Sequence, residues 1–501
     1  MFLTSLTFLG GVGEIGGNKI VLRDHDTTIL LDFGMSFKQH GKYFSEFLEA
    51  RKCNCLEDMF ITGLLPKMKG AYREDYLRHS GYGKEDRSID AVLLSHAHMD
   101  HAAYIHHLRS DIPLWMSSTT KALLSTIQET GSGSFNDYLY LVPSFELVPK
   151  SRDPGYRKAT KKDGVIERPV NVFENGRDFK IDSITVKPLA VDHSVPGATS
   201  FIINTSESTI LYTGDFRFHG YESEKTKAMV ETASENDVDV VVTEGTRITQ
   251  SNGTSEEDVL SNATRIIGGT NGLAVVNYPS RDLARFRTFY RIAKETGRKL
   301  VIDFKQAYLL DQVAASGNYP RPDDPNILVY ADRKGWGTAG RNTIPSNVAG
   351  MCIPSELCDQ DYDTWEKEYL NRENCVCYEN LGDQSEIMFY CNYFQLTELI
   401  DVKPSPGSVY LRSMTEPFDV EMELDAKRID NWLDLFSLKQ YGRKTEDGLH
   451  ASGHASGTEI IEMLRTIHPK RIIPIHTEHP THLSKEFTGV TIAQLGETIE
   501  L

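Results

Sequence analysis

Eleven residues constrain this chain more than any others: Ala91 to His101, AVLLSHAHMDH. The aliphatic run reads as a buried strand, and it ends directly in His96-x-His98-x-Asp100-His101. With 16 His and 71 Asp and Glu in 501 residues, three His and one acid at fixed positions are rare by chance. The expectation is roughly 5 in a million per start, or about two in a thousand over the chain. Imidazole nitrogens and carboxylate oxygens gathered at a strand end suit zinc, at about 2.0–2.2 Å per ligand. Four ligands in six residues are too many for one tetrahedral ion with an open position, so two metals are implied.

Further ligands are then expected at other strand ends. Ile184 to Asp192 is strand-like and delivers His193; Thr209 to Thr213 delivers Asp215; Arg471 to Ile475 delivers His476. A lone histidine is usually structural, but several at separate strand ends make a convergent site. His106 and His107, just after the ligand loop, read as structural or surface residues.

The chain opens with LGGVGEIGGN, Leu9 to Asn18, which contains the GxGxxG spacing of a dinucleotide-binding turn. That fingerprint needs a strand before it and a helix after it. Lys19 to Arg23 and Thr28 to Asp32 are short and rich in β-branched and aliphatic residues, so strands follow and no helix N-terminus awaits a pyrophosphate. A glycine-rich turn between strands is the expectation, with Asp32 at the end of its strand in LLDFG as the more interesting acid.

A chain of this length holds two or more domains. Up to about Gly245 the pattern is many short strands with few helices. Beyond it, strands expected at 273–278, 299–304 and 326–331 alternate with helices at 281–296 and 306–315, the rhythm of a parallel, doubly wound sheet. After about residue 435 glycine- and histidine-rich turns return, so one α/β domain is inserted into another. No apolar run approaches membrane-spanning length, and the N-terminus lacks a signal-peptide pattern. Seven sparse cysteines read as reduced thiols of a cytosolic protein; the C-x-C pairs Cys53/Cys55 and Cys375/Cys377 are closer together than usual zinc ligands. The net charge of −17 argues against coating nucleic acid non-specifically, but site metals and local patches can still supply a positive field. One such patch is Lys150 to Arg168, where seven Lys and Arg outnumber three acids; its plainest reading is a solvated loop.

SHAHMDH, LLDFG, VDHSVPGA and TGDF resemble the signature of the metallo-β-lactamase fold. TEGT at Thr243 to Thr246, HASGHASG at His450 to Gly457 and IHTEH at Ile475 to His479 resemble the motifs of its nucleic-acid-cutting branch, the β-CASP family, and within it the ribonuclease J type. The resemblance spans essentially the whole chain. It implies an αββα sandwich with an inserted parallel α/β domain: residues 1–245 and 436–501 for the sandwich, 246–435 for the insertion. His96, His98 and His193 would hold one zinc, and Asp100, His101 and His476 the other, with Asp215 bridging. Asp32 would orient the ligand loop without binding metal. Glu244 matches the acid of the first insertion motif, with a simple helix cap as its plainer reading. His454 matches the second-motif histidine that contacts the scissile phosphate and protonates the leaving 3′-oxygen. His450 and Ser452 match a terminal-phosphate pocket, and Ser280 and Arg281 are further substrate-binding candidates.

By the same resemblance the activity is hydrolysis of single-stranded RNA, 5′ to 3′ from a monophosphate end, with endonuclease activity besides, and the insertion would close over the site to form a channel. The cofactors would be two Zn²⁺ per chain, with Mn²⁺ or Mg²⁺ usable in assays. Partners implied are RNA, a second copy in a homodimer and other RNA-decay proteins, in the cytoplasm and with no membrane. Ala102-Ala103 and Thr477 depart from the glycines common in relatives. The segments from Lys38 to Asp90 and from Phe418 to Thr445 look like insertions, and the chain ends soon after His476, as in archaeal-like forms without the bacterial C-terminal domain. Four other readings compete. They are a family endonuclease of RNA 3′-end processing, a small-substrate metallo-hydrolase, a DNA-cutting relative, and a scaffold subunit. DNA-cutting relatives typically lack a histidine where His476 stands, and scaffold subunits lose metal ligands, whereas this chain has lost none.

Overall fold

The structure, a computed structural model, describes residues 4–45, 47–251, 253–316, 319–335, 361–417 and 420–501. Cys352, Cys358 and Phe418 lie outside the described residues. The chain divides into two compact units. One comprises residues 1–218, 222–252 and 453–501; the other comprises 219–221 and 253–452.

In the first unit two sheets stack face to face. The seven-stranded sheet runs, edge to edge, Val170–Val172, Leu114–Met116, Ala91–Leu93, Thr27–Phe33, Lys19–Asp24, Thr4–Gly10 and Thr498–Glu500. The six-stranded sheet runs Phe179–Ile181, Ile184–Ala190, Thr199–Asn204, Thr209–Tyr212, Val240–Thr243 and Arg471–Pro474. Their facing side chains, among them Leu6, Phe8, Leu31, Leu93, Val186, Phe201, Ile210, Val242 and Ile473, form one buried core. Strand residues alternate between faces, so Ile202, Leu211, Val241 and Ile472 emerge on the far side of the second sheet. There they pack with Met229, Ala233, Ile460 and Leu464 of the helices Ser223–Glu235 and Gly457–Ile467. The short helical turns Met99–Ala102 and Ala103–His107 sit on the outer face of the first sheet, against Thr27–Phe33. This is the expected αββα sandwich. As expected too, the opening glycine turn joins antiparallel strands, Thr4–Gly10 to Lys19–Asp24.

The second unit is a seven-stranded, all-parallel sheet in the order Cys375–Val376, Ile327–Tyr330, Lys299–Asp303, Ile387–Tyr390, Ala274–Asn277, Val409–Arg412, Lys439–Tyr441. The helices Leu283–Glu295 and Phe304–Val313 fall where the alternation places them. Ile387–Tyr390 wedges between Ala274–Asn277 and Lys299–Asp303, an order that no local pattern encodes. The segment after Phe418 continues the alternation, as the helix Val420–Leu435 and the edge strand Lys439–Tyr441.

Candidate metal centre

Parallel register brings the functional side chains to one edge. In the first sheet Leu31 pairs with Leu93, so the strands carrying Asp32 and His96 end together. In the second, Tyr212 pairs with Val242 and Thr243 with Pro474, so Asp215, Glu244 and His476 leave adjacent strand ends. All of these residues belong to the first unit.

Three sets of four donors result, each with its ligand atoms within 4.8 Å of one another: His96, His98, His193 and Asp215; Asp100, His101, Asp215 and His476; and Asp215, Glu244, His454 and His476. In the first set His98 Nδ1 stands 3.2 Å from His96 Nε2 and 3.1 Å from His193 Nε2. In the second, His476 Nε2 stands 3.1 Å from Asp100 Oδ2 and His101 Nε2 3.2 Å from Asp215 Oδ2. Tetrahedral ligands on bonds of about 2.0–2.1 Å lie roughly 3.4 Å apart, so this spacing is that of donors around an ion. Asp215 Oδ2 also lies 3.6 Å from His96 Nε2 and 3.8 Å from those of His193 and His476. One oxygen thus faces the first two sets.

The donors also fit a metal by what they lack. Both Asp215 oxygens and His101 Nε2 are buried without a hydrogen-bond partner among the described residues, a costly state for a carboxylate unless a cation compensates it. Burial pushes His98 down to about 4 and holds His96 and His193 well below the usual range, so these imidazoles are neutral, the state a metal ligand needs. Against its burial, His101 is held well above it by Asp215, Asp32 and Asp100, and Asp215 is held well below the usual carboxylate range by His101 and His476.

The ring nitrogens turned away from the cluster are anchored, which sets tautomer and orientation. His193 Nδ1 meets the Gly453 carbonyl at 2.5 Å, His476 Nδ1 the Thr246 hydroxyl at 2.8 Å, and His96 Nδ1 the Ser95 hydroxyl at 3.0 Å. His101 Nδ1 meets Asp32 Oδ2 at 2.7 Å. Asp32 also accepts from the Ser95 N–H and Oγ at 2.7 Å and from the Tyr212 hydroxyl at 2.5 Å, so its carboxylate is fully engaged away from the ligand atoms. Asp32 and His476 both adopt left-handed backbone, φ 57° and 51°. For such residues that is strain of about 1–3 kcal/mol, held in place by the packed loops.

Glu244 caps no helix, since the next one, Glu256–Gly268, begins twelve residues on with Ser255 at its N-cap. It accepts from the backbone N–H groups of Phe216 and Thr246 at 3.1 and 3.3 Å, and it grips His454 Nδ1 at 3.0 and 3.2 Å. Burial works against the charge on His454, but Glu244 and then Asp215 outweigh it and raise the imidazole to about 9. His454 Nδ1 lies 3.8 Å from Asp215 Oδ2, and both residues belong to the third donor set.

Ser280, Arg281, His450 and Ser452 belong to the second unit. Ser280 and Arg281 lie in the turn before the helix Leu283–Glu295, whose buried Arg285 donates to the carbonyls of Ala451 and Ser413 at 3.0 and 2.9 Å. The Ser452 carbonyl meets His219 Nε2 at 2.9 Å. His106 is structural as expected, with Nε2 2.9 Å from the Tyr76 hydroxyl and Nδ1 accepting the Asp137 N–H. No cysteine enters a donor cluster among the described residues.

Residues 81–245 match the family model described as the metallo-beta-lactamase superfamily, and residues 443–491 match the Zn-dependent metallo-hydrolase RNA specificity domain. The chain is 22% identical to Ribonuclease J of Methanocaldococcus jannaschii, covering 98% of this chain and 96% of that protein. It is 20% identical to Ribonuclease J of Mycoplasma genitalium, over 95% of this chain and 68% of that one. These matches support the resemblance to the metallo-β-lactamase superfamily and, within it, to the β-CASP ribonuclease J type. A solved structure titled as a protein of unknown function from Enterococcus faecalis V583 shares the fold with a TM-score of 0.69, at 23% identity over 99% of this chain and 100% of that chain.

Beyond the family's motif residues, the structure adds supports that reading the sequence missed. Thr246, Ser95 and Tyr212 hold donor imidazoles or Asp32. Lys19, 3% exposed, donates to the carbonyls of Gly17 and Gly34 at 2.9 and 3.0 Å and ties the opening glycine turn to the loop after Asp32. Their one local signal is position: each lies within or beside a motif stretch.

Proposed function

We propose that this protein is a zinc-dependent ribonuclease that hydrolyses single-stranded RNA, 5′ to 3′ from monophosphate ends, with endonucleolytic cuts as a second mode. The observation that carries the reading is the double donor set sharing Asp215 Oδ2, in a chain that also matches an RNA-specificity domain. A pair of divalent cations, held by His96, His98 and His193 and by Asp100, His101 and His476, with Asp215 between them, would supply Lewis acidity and water of pKa about 7.

The chain's own residues then have separate tasks. Asp32, Ser95, Thr246 and the Gly453 carbonyl keep each imidazole turned to its ligand position. Asp100 and Asp215 bring the negative charge that would hold the cations. His454, with Nδ1 held on Glu244, presents Nε2 for the scissile phosphate and delivers its proton to the leaving 3′-oxygen. Ser280, Arg281, His450 and Ser452 receive the terminal phosphate.

In the same reading residues 246–435 form the inserted domain between sandwich segments 1–245 and 436–501. The compact second unit supports it, although that unit extends to 452 because Lys439–Tyr441 adds an edge strand. The protein acts in the cytoplasm as a homodimer beside other RNA-decay proteins. No helix among the described residues is long and apolar enough to cross a membrane.

The test uses end-labelled RNAs bearing 5′-monophosphate, triphosphate or hydroxyl, with duplex DNA as comparison and bound metal measured alongside. Expected are about two zinc per chain, fast mononucleotide release from the monophosphate end, and a block at a stable 5′ hairpin. Equal rates on duplex DNA, or cutting by wild-type protein freed of metal, would overturn the reading.

A further inference from the structure

The basic stretch Lys150 to Arg168 folds onto the first unit around a hairpin, Leu147–Pro149 against Tyr156–Lys158. Part of its charge is engaged. Arg157 pairs with Asp163 at 2.6 Å and Lys161 with Glu129 at 3.2 Å. Arg168 is buried and donates to the carbonyls of Ile105, Leu108 and Arg109. Lys150, Arg152, Lys158 and Lys162 have no ion-pair partner among the described residues, nor does Lys52 from the segment before the helix Cys55–Ile61.

The hairpin borders a cleft of about 330 Å³, lined among others by Lys52, Lys158, Lys161, Ser132, Ser134 and Phe145. Such a volume lies at the lower end for small-ligand pockets and suits one nucleotide. Ammonium groups and hydroxyls suit a phosphate, and an aromatic ring suits a base. Phe145 is already one half of a stack, its ring 4.1 Å from that of His79 and nearly parallel. The cations do not stop at the cleft. Lys158 and the hairpin tip at Lys150 are about three strand residues apart, roughly 10 Å, so the charge extends beyond a single phosphate. On a chain of net charge −17, a local surplus of cations holds a polyanion at that place rather than everywhere.

We propose that this cleft and hairpin form a second binding surface for single-stranded RNA, made of residues outside the metal centre. The identity of the strand rests on the ribonuclease reading; the cationic surface itself does not. Binding is measured with the metal-loaded protein and a cleavage-resistant 2′-O-methyl 20-mer across a salt series, with a single-stranded DNA 20-mer and AMP as further arms. Cleavage of the unmodified RNA is followed in parallel. The variant carries Lys52→Ala, Lys150→Ala, Arg152→Ala and Lys158→Ala together, and a second keeps charge with arginine at the three lysines.

The alanine variant should keep its metal, lose about tenfold or more in RNA affinity, and show a salt slope shallower by about 3, at about 0.7 per phosphate contact. The arginine variant should bind like wild type. Unchanged affinity and slope in the alanine variant would overturn the proposal, as would loss of AMP binding with strand binding intact. Strand binding through these residues in a protein that does not cut RNA would uphold the surface and remove the ribonuclease reading.

Discussion

His454 and His476 lie close together, with ring centroids 5.6 Å apart, yet their surroundings assign them different work. His476 has Nδ1 on Thr246 and Nε2 toward Asp100, the posture of a ligand. His454 has Nδ1 on Glu244. His454→Ala should therefore keep both metals and the fold while single-turnover cleavage falls about 10²–10⁴-fold, less for a substrate with a better leaving group. His476→Ala should weaken one metal site, so that added zinc or manganese restores part of the rate. Bound metal and rate across a metal titration separate the two; a His454→Ala protein that loses a metal, or is fully rescued by one, belongs among the ligand variants.

At the scale of elements, the opening glycine turn is a brace. The Gly11 carbonyl accepts the His476 N–H at 2.7 Å, and the Asn18 N–H donates to the Asp100 carbonyl at 3.0 Å. A Cβ on Gly16 (φ +79°) would stand 2.8 Å from that of Asp100, and one on Gly34 only 1.7 Å from the Asp100 carbonyl oxygen. No backbone can stay at 1.7 Å, so Gly34→Ala must move the ligand loop. Overpacking of this kind costs about 1–3 kcal/mol, and here the cost falls on Asp100 and His101. Metal analysis should find one site weakened far more than the other, with circular dichroism unchanged. Full metal content at wild-type affinity would show that the loop tolerates the methyl group.

For the whole molecule, the staple that holds this brace makes stability depend on pH. Burial pulls the Lys19 ammonium from the ordinary 10.5 to about 8, with Glu14 working against the shift. Below pH 8 both folded and unfolded chains carry the proton, and the burial penalty is fully present. Between about 8 and 10.5 the folded chain has released the proton and the unfolded chain has not, so this group's contribution to stability rises with pH. The change amounts to roughly 3 kcal/mol. Lys19→Met removes it: wild-type stability should gain on the variant by that order as pH climbs from 7.5 toward 10.5 in denaturant titrations. Curves that stay parallel would mean the amine is not titrating in the fold.

The sequence alone determined the candidate donor types, the strand ends that carry them and the alternation of the second unit, because residue identity and hydrophobic period are local properties. Those local properties mark HAHMDH, the later histidines and Asp215 as candidate donors. Tertiary structure decided the rest. That His98 turns Nδ1 inward while His96 and His193 turn Nε2, that one Asp215 oxygen faces the first two sets, and that Thr246 and Ser95 fix the imidazoles depend on contacts between distant segments. Asn18 reaches Tyr212, 194 positions away, and Thr246 reaches His476, 230 away. Such hydrogen bonds leave no periodic trace along the chain. The wedged strand Ile387–Tyr390 followed the same rule, since strand order is set by which buried surfaces fit together after the helices have packed.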